Sequence, residues 1–393
     1  MIVEPKVRGF ICTTAHPQGC RENVRRQIEY VKGKPKMPGV KNVLVIGCST
    51  GYGLASRIAA AYLGGAATIG VMFERSASGK RTASSGWYNT AAFEEFAHAD
   101  GLYAKTINGD AFSKEIKAQT AKLIERDLGQ VDMVVYSLAS PRRTVADGTT
   151  YSSVLKTTDT DYTNKSIDLT TRKISEVTVT PATEQEIADT VKVMGGEDWK
   201  DWIAALQNAG VLADGAVTVA YSYIGPEITY PMYTNGSIGK AKEHLFRTSQ
   251  EINKEFSGVT AYISVNKGLV TQSSAAIPIV PLYISILYKV MKEKGLHEGC
   301  IEQMYRLFAD RLLKEQVPTD ERGMIRLDDW EMRGDVQDAV AKAWEQINDD
   351  NLEQLADVAG YWDDFYQMFG FQLADVDYAA DVETEVSVPS IGE

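Results

Sequence analysis

The chain has 393 residues, of which 44% are hydrophobic and 24% charged, the make-up of a globular protein that buries a sizeable core as one large domain or two interlocked ones. Its net charge of −12 argues against non-specific binding to nucleic acid or to an anionic membrane, both of which would repel it. Cysteines at 12, 20, 48 and 300 and histidines at 16, 98, 244 and 297 are too scattered for a disulfide framework or a metal-ligand spacing, so no metal is expected and a reducing, cytoplasmic setting is.

Residues 1–42 are expected to be a basic segment packed on the core: nine Lys and Arg face three acids between positions 1 and 41, a pattern that reads as a solvated face. The opening Met1-Ile-Val-Glu-Pro-Lys lacks the apolar stretch of a signal peptide. The continuous apolar run Val43-Leu-Val-Ile46 suits a strand buried on both faces. It leads into Gly47-Cys48-Ser49-Thr50-Gly51-Tyr52-Gly53 and then a helix. Glycines at 47, 51 and 53 allow a tight turn that brings helix amides against a pyrophosphate, which marks a dinucleotide site.

A second strand, Thr68 to Phe73, ends at Glu74, about 20 residues past the glycines, where an acid can accept bonds from the adenosine ribose hydroxyls. That favours NADH over NADPH, since a carboxylate repels a 2′-phosphate, although Arg75, Lys80 and Arg81 lie close. A third strand, Leu102 to Ile107, runs into Gly109-Asp110-Ala111, whose Asp meets the adenine edge or caps a helix from Phe112. A fourth, Val131 to Ser137, ends in Leu138-Ala139-Ser140, residues suited to close approach to the cofactor.

An insertion spans 141–215. Alternation over Thr170 to Val179 predicts a hairpin, and Thr183 with Glu186 predicts a capping box for a helix to Met194, broken by Gly195-Gly196. Trp199 and Trp202 follow; they close a pocket or simply pack. Strands at 216–222 and 259–265 flank a helix over 237–254, which completes an α/β, Rossmann-type doubly wound parallel sheet. The dinucleotide-binding and catalytic domain is taken as 43–295.

Tyr233 and Lys242 carry the chemistry of that last unit. On one helix, nine steps of about 100° would set them on opposite faces. Asn235-Gly236-Ser237 breaks the run, so Tyr233 falls in the approach loop and Lys242 in the helix's second turn, in reach of one nicotinamide ribose. Taken alone, the pair also reads as a core Tyr and a solvated Lys. The apolar segment Pro281 to Met291 is core or one wall of an acyl pocket, and it is too short and Pro-interrupted to span a bilayer. From 296 to 393 the chain reads as a helical C-terminal extension with a loose acidic tail, six acids and no base after residue 370.

Together these residues resemble the trans-2-enoyl-CoA reductases and the related V-type enoyl-acyl-carrier-protein reductases, relatives of the short-chain dehydrogenases. The resemblance runs from Pro5-Lys-Val-Arg-Gly-Phe-Ile-Cys12 and Ala15-His-Pro-Gln-Gly-Cys20 through the glycine turn, Tyr136-Ser-Leu-Ala-Ser-Pro141, Val193-Met-Gly-Gly-Glu-Asp-Trp199, Tyr221-Ser-Tyr-Ile-Gly-Pro-Glu227 and Leu269-Val-Thr-Gln272 to His297-Glu-Gly-Cys-Ile-Glu-Gln303. Tyr-x8-Lys separates this group from typical short-chain dehydrogenases, which space the pair Tyr-x3-Lys.

The resemblance implies NADH-dependent reduction of the trans-2 double bond of enoyl thioesters, CoA or acyl-carrier-protein bound, in fatty acid synthesis. It implies Tyr233 as proton donor, Lys242 as ribose ligand, Tyr223 as substrate-carbonyl contact, and Leu269-Val270-Thr271 as the wall beside the nicotinamide carboxamide. Both phenols, Tyr223 and Tyr233, are expected to point at the developing enolate oxygen, with the basic segment meeting CoA phosphates or an acidic carrier. It also implies a monomer, in line with an insertion and extension that cover sheet faces. The departure at Arg143-Thr-Val-Ala-Asp-Gly148, where related sequences read Thr-Asp-Pro, is expected to touch only a surface loop. Two other readings are a carbonyl reductase or alcohol dehydrogenase using the same Tyr and Lys, and a non-catalytic NADH-binding regulator.

Overall fold

The computed structural model describes residues 1–9 and 11–392. A short hairpin (β1, Val7–Arg8; β2, Ile11–Cys12) and helix α1 (Pro17–Lys32) precede the first long apolar run. That run is fully withdrawn from water at Val43, Leu44, Val45 and Ile46, as a strand covered on both faces requires. Its strand β3 (Asn42–Ile46) alternates with helices into β4 (Ala67–Met72), β5 (Ala104–Asn108) and β6 (Val131–Tyr136), through α2 (Gly51–Gly64), α3 (Ser85–Ala99) and α4 (Lys114–Asp127).

The insertion supplies two hairpins (β7, Arg142–Thr144, with β8, Thr150–Ser152; β9, Tyr162–Asp168, with β10, Lys173–Val179) and helices α5 (Glu184–Met194) and α6 (Glu197–Asn208). The chain re-enters the sheet as β11 (Leu212–Ser222), crosses α7 (Ser237–Glu255) to β12 (Val259–Val265), and continues through α8 (Val280–Glu293) and α9 (Cys300–Leu307). A last strand, β13 (Ile325–Arg326), and α10 (Gly334–Gln346), α11 (Leu352–Leu355) and α12 (Val358–Gln367) complete it.

The sheet is parallel and seven-stranded, in the order β13-β12-β11-β6-β3-β4-β5. The order reverses between β3 and β6, so a crevice opens beyond their carboxyl ends, where open α/β sheets bind ligands. β13 was not foreseen, because two residues carry no periodic signal. The hairpin expected over 170–179 begins upstream at Tyr162, while the capping box of Thr183 and Glu186 forms as the spacing predicts.

Three expectations change. Arg143 is not part of a surface loop: it is 5% exposed at the root of the β7–β8 hairpin, donates to the Lys192 carbonyl and lies over the Phe112 ring. The acidic tail is not loose. Trp87 Nε1 donates to the Val386 carbonyl, and both the amide and hydroxyl of Ser390 donate to Glu94, a carboxylate buried near Arg57. Stripping partners from a buried charge costs about 3–5 kcal/mol, so these contacts belong to the fold. Much of the basic segment is already neutralised, by pairs such as Arg21 with Glu95, Arg26 with Glu22 and Asp375, and Lys32 with Asp100.

Candidate active site

The glycine turn sits at the reversal point. Gly47 holds φ +82°, a conformation that favours glycine, and a Cβ there would lie 2.3 Å from the Ser137 carbonyl oxygen and 3.2 Å from the Leu138 side chain. A Cβ on Gly53 would lie 1.8 Å from the Gly47 carbonyl oxygen, so the turn closes only on glycine. No side chain caps the first amides of α2, which leaves them and the helix dipole for an anion.

The expected cofactor residues divide into those that face this turn and those that support it. Glu74, at the end of β4, accepts the Ser49 hydroxyl at 2.6 Å, and its backbone is held by both ends of the Asn108 amide. Phe73 beside it is 77% exposed. Cys48 turns its thiol inward near Arg57, where burial raises it to about 11; only its backbone faces the turn. Tyr52 sends its hydroxyl to the Lys267 carbonyl at 2.7 Å and thereby ties the start of α2 to the loop that carries Leu269, Val270 and Thr271. Thr271 Cγ2 lies 4.0 Å from where a Gly51 Cβ would stand, so that wall and the glycine turn face one another. Leu269 and Val270 are buried, and the exposed Ala139 lies at the rim.

Asp110 differs from the helix-capping expectation. Ser113 caps α4 by accepting the Ile116 amide, while Asp110 accepts the Phe112 amide in the loop before it. The Ala111 carbonyl beside it is gripped from below by Lys117 Nζ and Trp202 Nε1. Trp199 and Trp202, both 0% exposed, are therefore packing residues under the sheet; Trp199 Nε1 donates to Thr218.

Tyr233 and Lys242 reach the same end of the sheet by a local device. Tyr233 lies in the turn before α7 and Lys242 in that helix's second turn. The turn passes so close to α7 that a Cβ on Gly239 would lie 2.0 Å from the Thr234 carbonyl oxygen. Lys242 Nζ donates to the Tyr221 carbonyl at 3.0 Å, and burial lowers its pKa to about 8. Tyr233 is 9% exposed, its hydroxyl bonds no group among the described residues, and burial alone holds its pKa well up.

Tyr223 meets Tyr233 edge to face, with ring centroids 4.9 Å apart. Its hydroxyl proton, however, goes to Glu331 Oε1 at 3.0 Å, which differs from the expectation of two phenols aimed at one substrate oxygen. Sequence reasoning missed Glu331 and Lys267. Glu331 is wholly buried and also accepts the Tyr283 hydroxyl and the Gly268 amide. Lys267, 2% exposed, donates to the Gly268 carbonyl, and burial lowers its pKa to about 8. The helix α8 that carries Tyr283 is buried along most of its length, in one cluster with Tyr233, Leu269 and Val270. Among the described residues no cluster of acids, histidines and cysteines is arranged to hold a metal, and no helix is long and apolar enough to cross a membrane.

Comparison with known proteins agrees over almost the whole chain. Residues 2–79 match the family model for the NAD(P)H binding domain of trans-2-enoyl-CoA reductase, residues 81–313 that for the trans-2-enoyl-CoA reductase catalytic region, and residues 319–382 that for an enoyl reductase FAD binding domain. The chain is 58% identical to an enoyl-[acyl-carrier-protein] reductase [NADH] of Flavobacterium johnsoniae, over 100% of each. It is 56% identical to a trans-2-enoyl-CoA reductase [NADH] of Ruminiclostridium cellulolyticum, again over 100% of each. In structure it resembles the trans-2-enoyl-CoA reductase of Treponema denticola in complex with NAD, with a TM-score of 0.94 and 51% identity over 99% of this chain and 100% of the other.

The glycine cradle and free helix amides fit the pyrophosphate of a nicotinamide dinucleotide. In the segment 319–382 the strand is two residues long, α10 and α12 pack on α8, and Gly360 and Gly370 abut Asp357 and Cys20.

Proposed function

The chain belongs to the trans-2-enoyl-CoA reductase family, and on that premise we propose that it is an NADH-dependent enoyl-thioester reductase in which Tyr233 is the proton donor. The observation that carries the assignment of roles is the free Tyr233 hydroxyl in a buried, apolar setting, packed in one cluster with Leu269 and Val270.

NADH bound at the glycine turn supplies hydride to Cβ of the enoyl thioester. Negative charge then gathers on the thioester oxygen, and a phenol already aimed at that charge stabilises it more than water would, because the protein does not have to reorganise. The Tyr233 O–H gives its proton to that oxygen, and the resulting enol takes a proton from solvent at Cα while returning its O–H proton to the phenolate, which completes the saturated acyl chain. Lys242 in its charged form lowers the cost of negative charge on the phenol and binds the ribose hydroxyls. Leu269, Val270 and α8 exclude water from the reacting carbons. Glu74 takes the adenosine ribose, which favours NADH over NADPH. The reading includes a monomer working in the cytoplasm on CoA or acyl-carrier-protein thioesters, with no step assigned to a flavin.

Purified protein given NADH and crotonyl-CoA should consume NADH and release butyryl-CoA. Turnover with simple ketones or aldehydes and none with any enoyl thioester would favour the carbonyl-reductase reading instead. The shared Tyr and Lys do not separate the two. The family to which the chain belongs, with a catalytic-region match over residues 81–313, favours the enoyl substrate.

A further inference from the structure

Two phenols stand edge to face at the reacting end of the sheet, yet they are not equivalent. Tyr223 has one hydroxyl proton, and Glu331 Oε1 accepts it at 3.0 Å. The same oxygen accepts the Tyr283 hydroxyl at 2.6 Å, while Oε2 accepts the Gly268 amide at 2.6 Å. Three donors converging on two oxygens is the pattern of an ionised carboxylate, which has acceptors only. Gln337 Nε2 points to the Tyr283 oxygen from the other side at 3.4 Å, consistent with the Tyr283 proton lying toward Glu331. Burial raises the Glu331 pKa, and the charge of Lys267 works against that shift.

We propose that Glu331 assigns the two phenols their roles: it retains the Tyr223 proton, leaving Tyr233 as the one phenol free to donate to the substrate oxygen, and it fixes the Gly268 amide beneath the Leu269–Thr271 wall. Glu331 is thus a positioning residue, acting on the reaction through Tyr223 and Gly268 rather than by touching substrate. The inference rests on the enoyl-reductase reading above.

The arrangement makes a prediction that ordinary structural damage does not. In Glu331→Gln the side-chain oxygen must still accept the Gly268 amide, so the new NH2 faces the phenols and donates to their oxygens. That reversal releases the Tyr223 proton toward the substrate. Steady-state kcat with crotonyl-CoA, NADH affinity by fluorescence and the melting temperature are measured for wild type, Tyr233→Phe, Tyr223→Phe, Tyr233→Phe/Glu331→Gln, and the last with Tyr223→Phe added.

The expected result is that Tyr233→Phe loses about 10²-fold in kcat, and Tyr223→Phe loses less than about a tenth of that factor. Adding Glu331→Gln to Tyr233→Phe should recover at least about fivefold, and the recovery should vanish when Tyr223 is also Phe. A double variant that binds NADH and melts like Tyr233→Phe but turns over no faster would overturn the proposal. Should the double variant not fold, the single variants decide: a Tyr223→Phe protein as slow as Tyr233→Phe would show that the Tyr223 proton is used, and not retained. Wild-type protein inert toward every enoyl thioester would instead remove the premise, an outcome visible before any variant is made.

Discussion

The cofactor side of the crevice and its reaction side are built on different principles. The cofactor side is backbone: a buried strand, a turn that only glycine can close, and uncapped helix amides, all within residues 42–64. The reaction side is made of side chains gathered from segments up to 108 residues apart, as in the bond from Tyr223 to Glu331. Backbone sites tolerate little substitution and act on binding. Side-chain sites can be altered one proton at a time, and their effects should fall on turnover.

The sharpest way to break that contrast is at Gly53. Its Cβ would meet the Gly47 carbonyl, backbone that cannot move aside, so Gly53→Ala should abolish measurable NADH binding and lower the melting temperature together. Retained NADH affinity would show that the turn is not the pyrophosphate site.

On the proposed reading Lys242 serves both sides, and Lys242→Met should then weaken NADH binding and turnover alike, by about tenfold or more each, because a ribose ligand acts in the ground state too. The same residue sets a pH dependence. With its pKa lowered to about 8, the ammonium is present below that pH and lost above it, so kcat/KM should fall as pH rises through about 8. Lys267 is lowered to about the same value, so the assignment needs variants. Lys242→Arg, which stays charged, should remove the fall, and Lys267→Met should keep it.

The smallest effect is expected at Glu74. Replacing it with Ala should raise the ratio of NADPH to NADH use by a few-fold, through relief of repulsion at the 2′-phosphate. An unchanged ratio would place the acid away from the ribose.

This division also governs what the sequence made legible. Strands β3 and β4, the glycine turn and Glu74 follow one another within about 35 residues, and their signals are local: apolar runs, glycine spacing, an acid at a strand end. Tyr233 and Lys242 were legible for the same reason, since Gly236 and Ser237 between them reset the helix phase. Glu331 gave no signal. It is one acid in Trp330-Glu331-Met332, and its meaning exists only once α8 brings Tyr283 and β11 brings Tyr223 against it. The acidic tail misled in the opposite way: its charge suggested a solvated strand of chain, whereas Val386, Val388 and Ser390 anchor it to α3 and β5.

Tyr233→Phe tests the central claim most directly, with kcat and the NADH dissociation constant measured on the same preparation. The account predicts a fall in kcat of about 10²-fold or more with NADH affinity near that of wild type, because only the transition state loses a hydrogen-bond donor. Wild-type turnover, or loss of NADH binding with turnover falling only in proportion, would contradict it and return Tyr233 to the packing of the core.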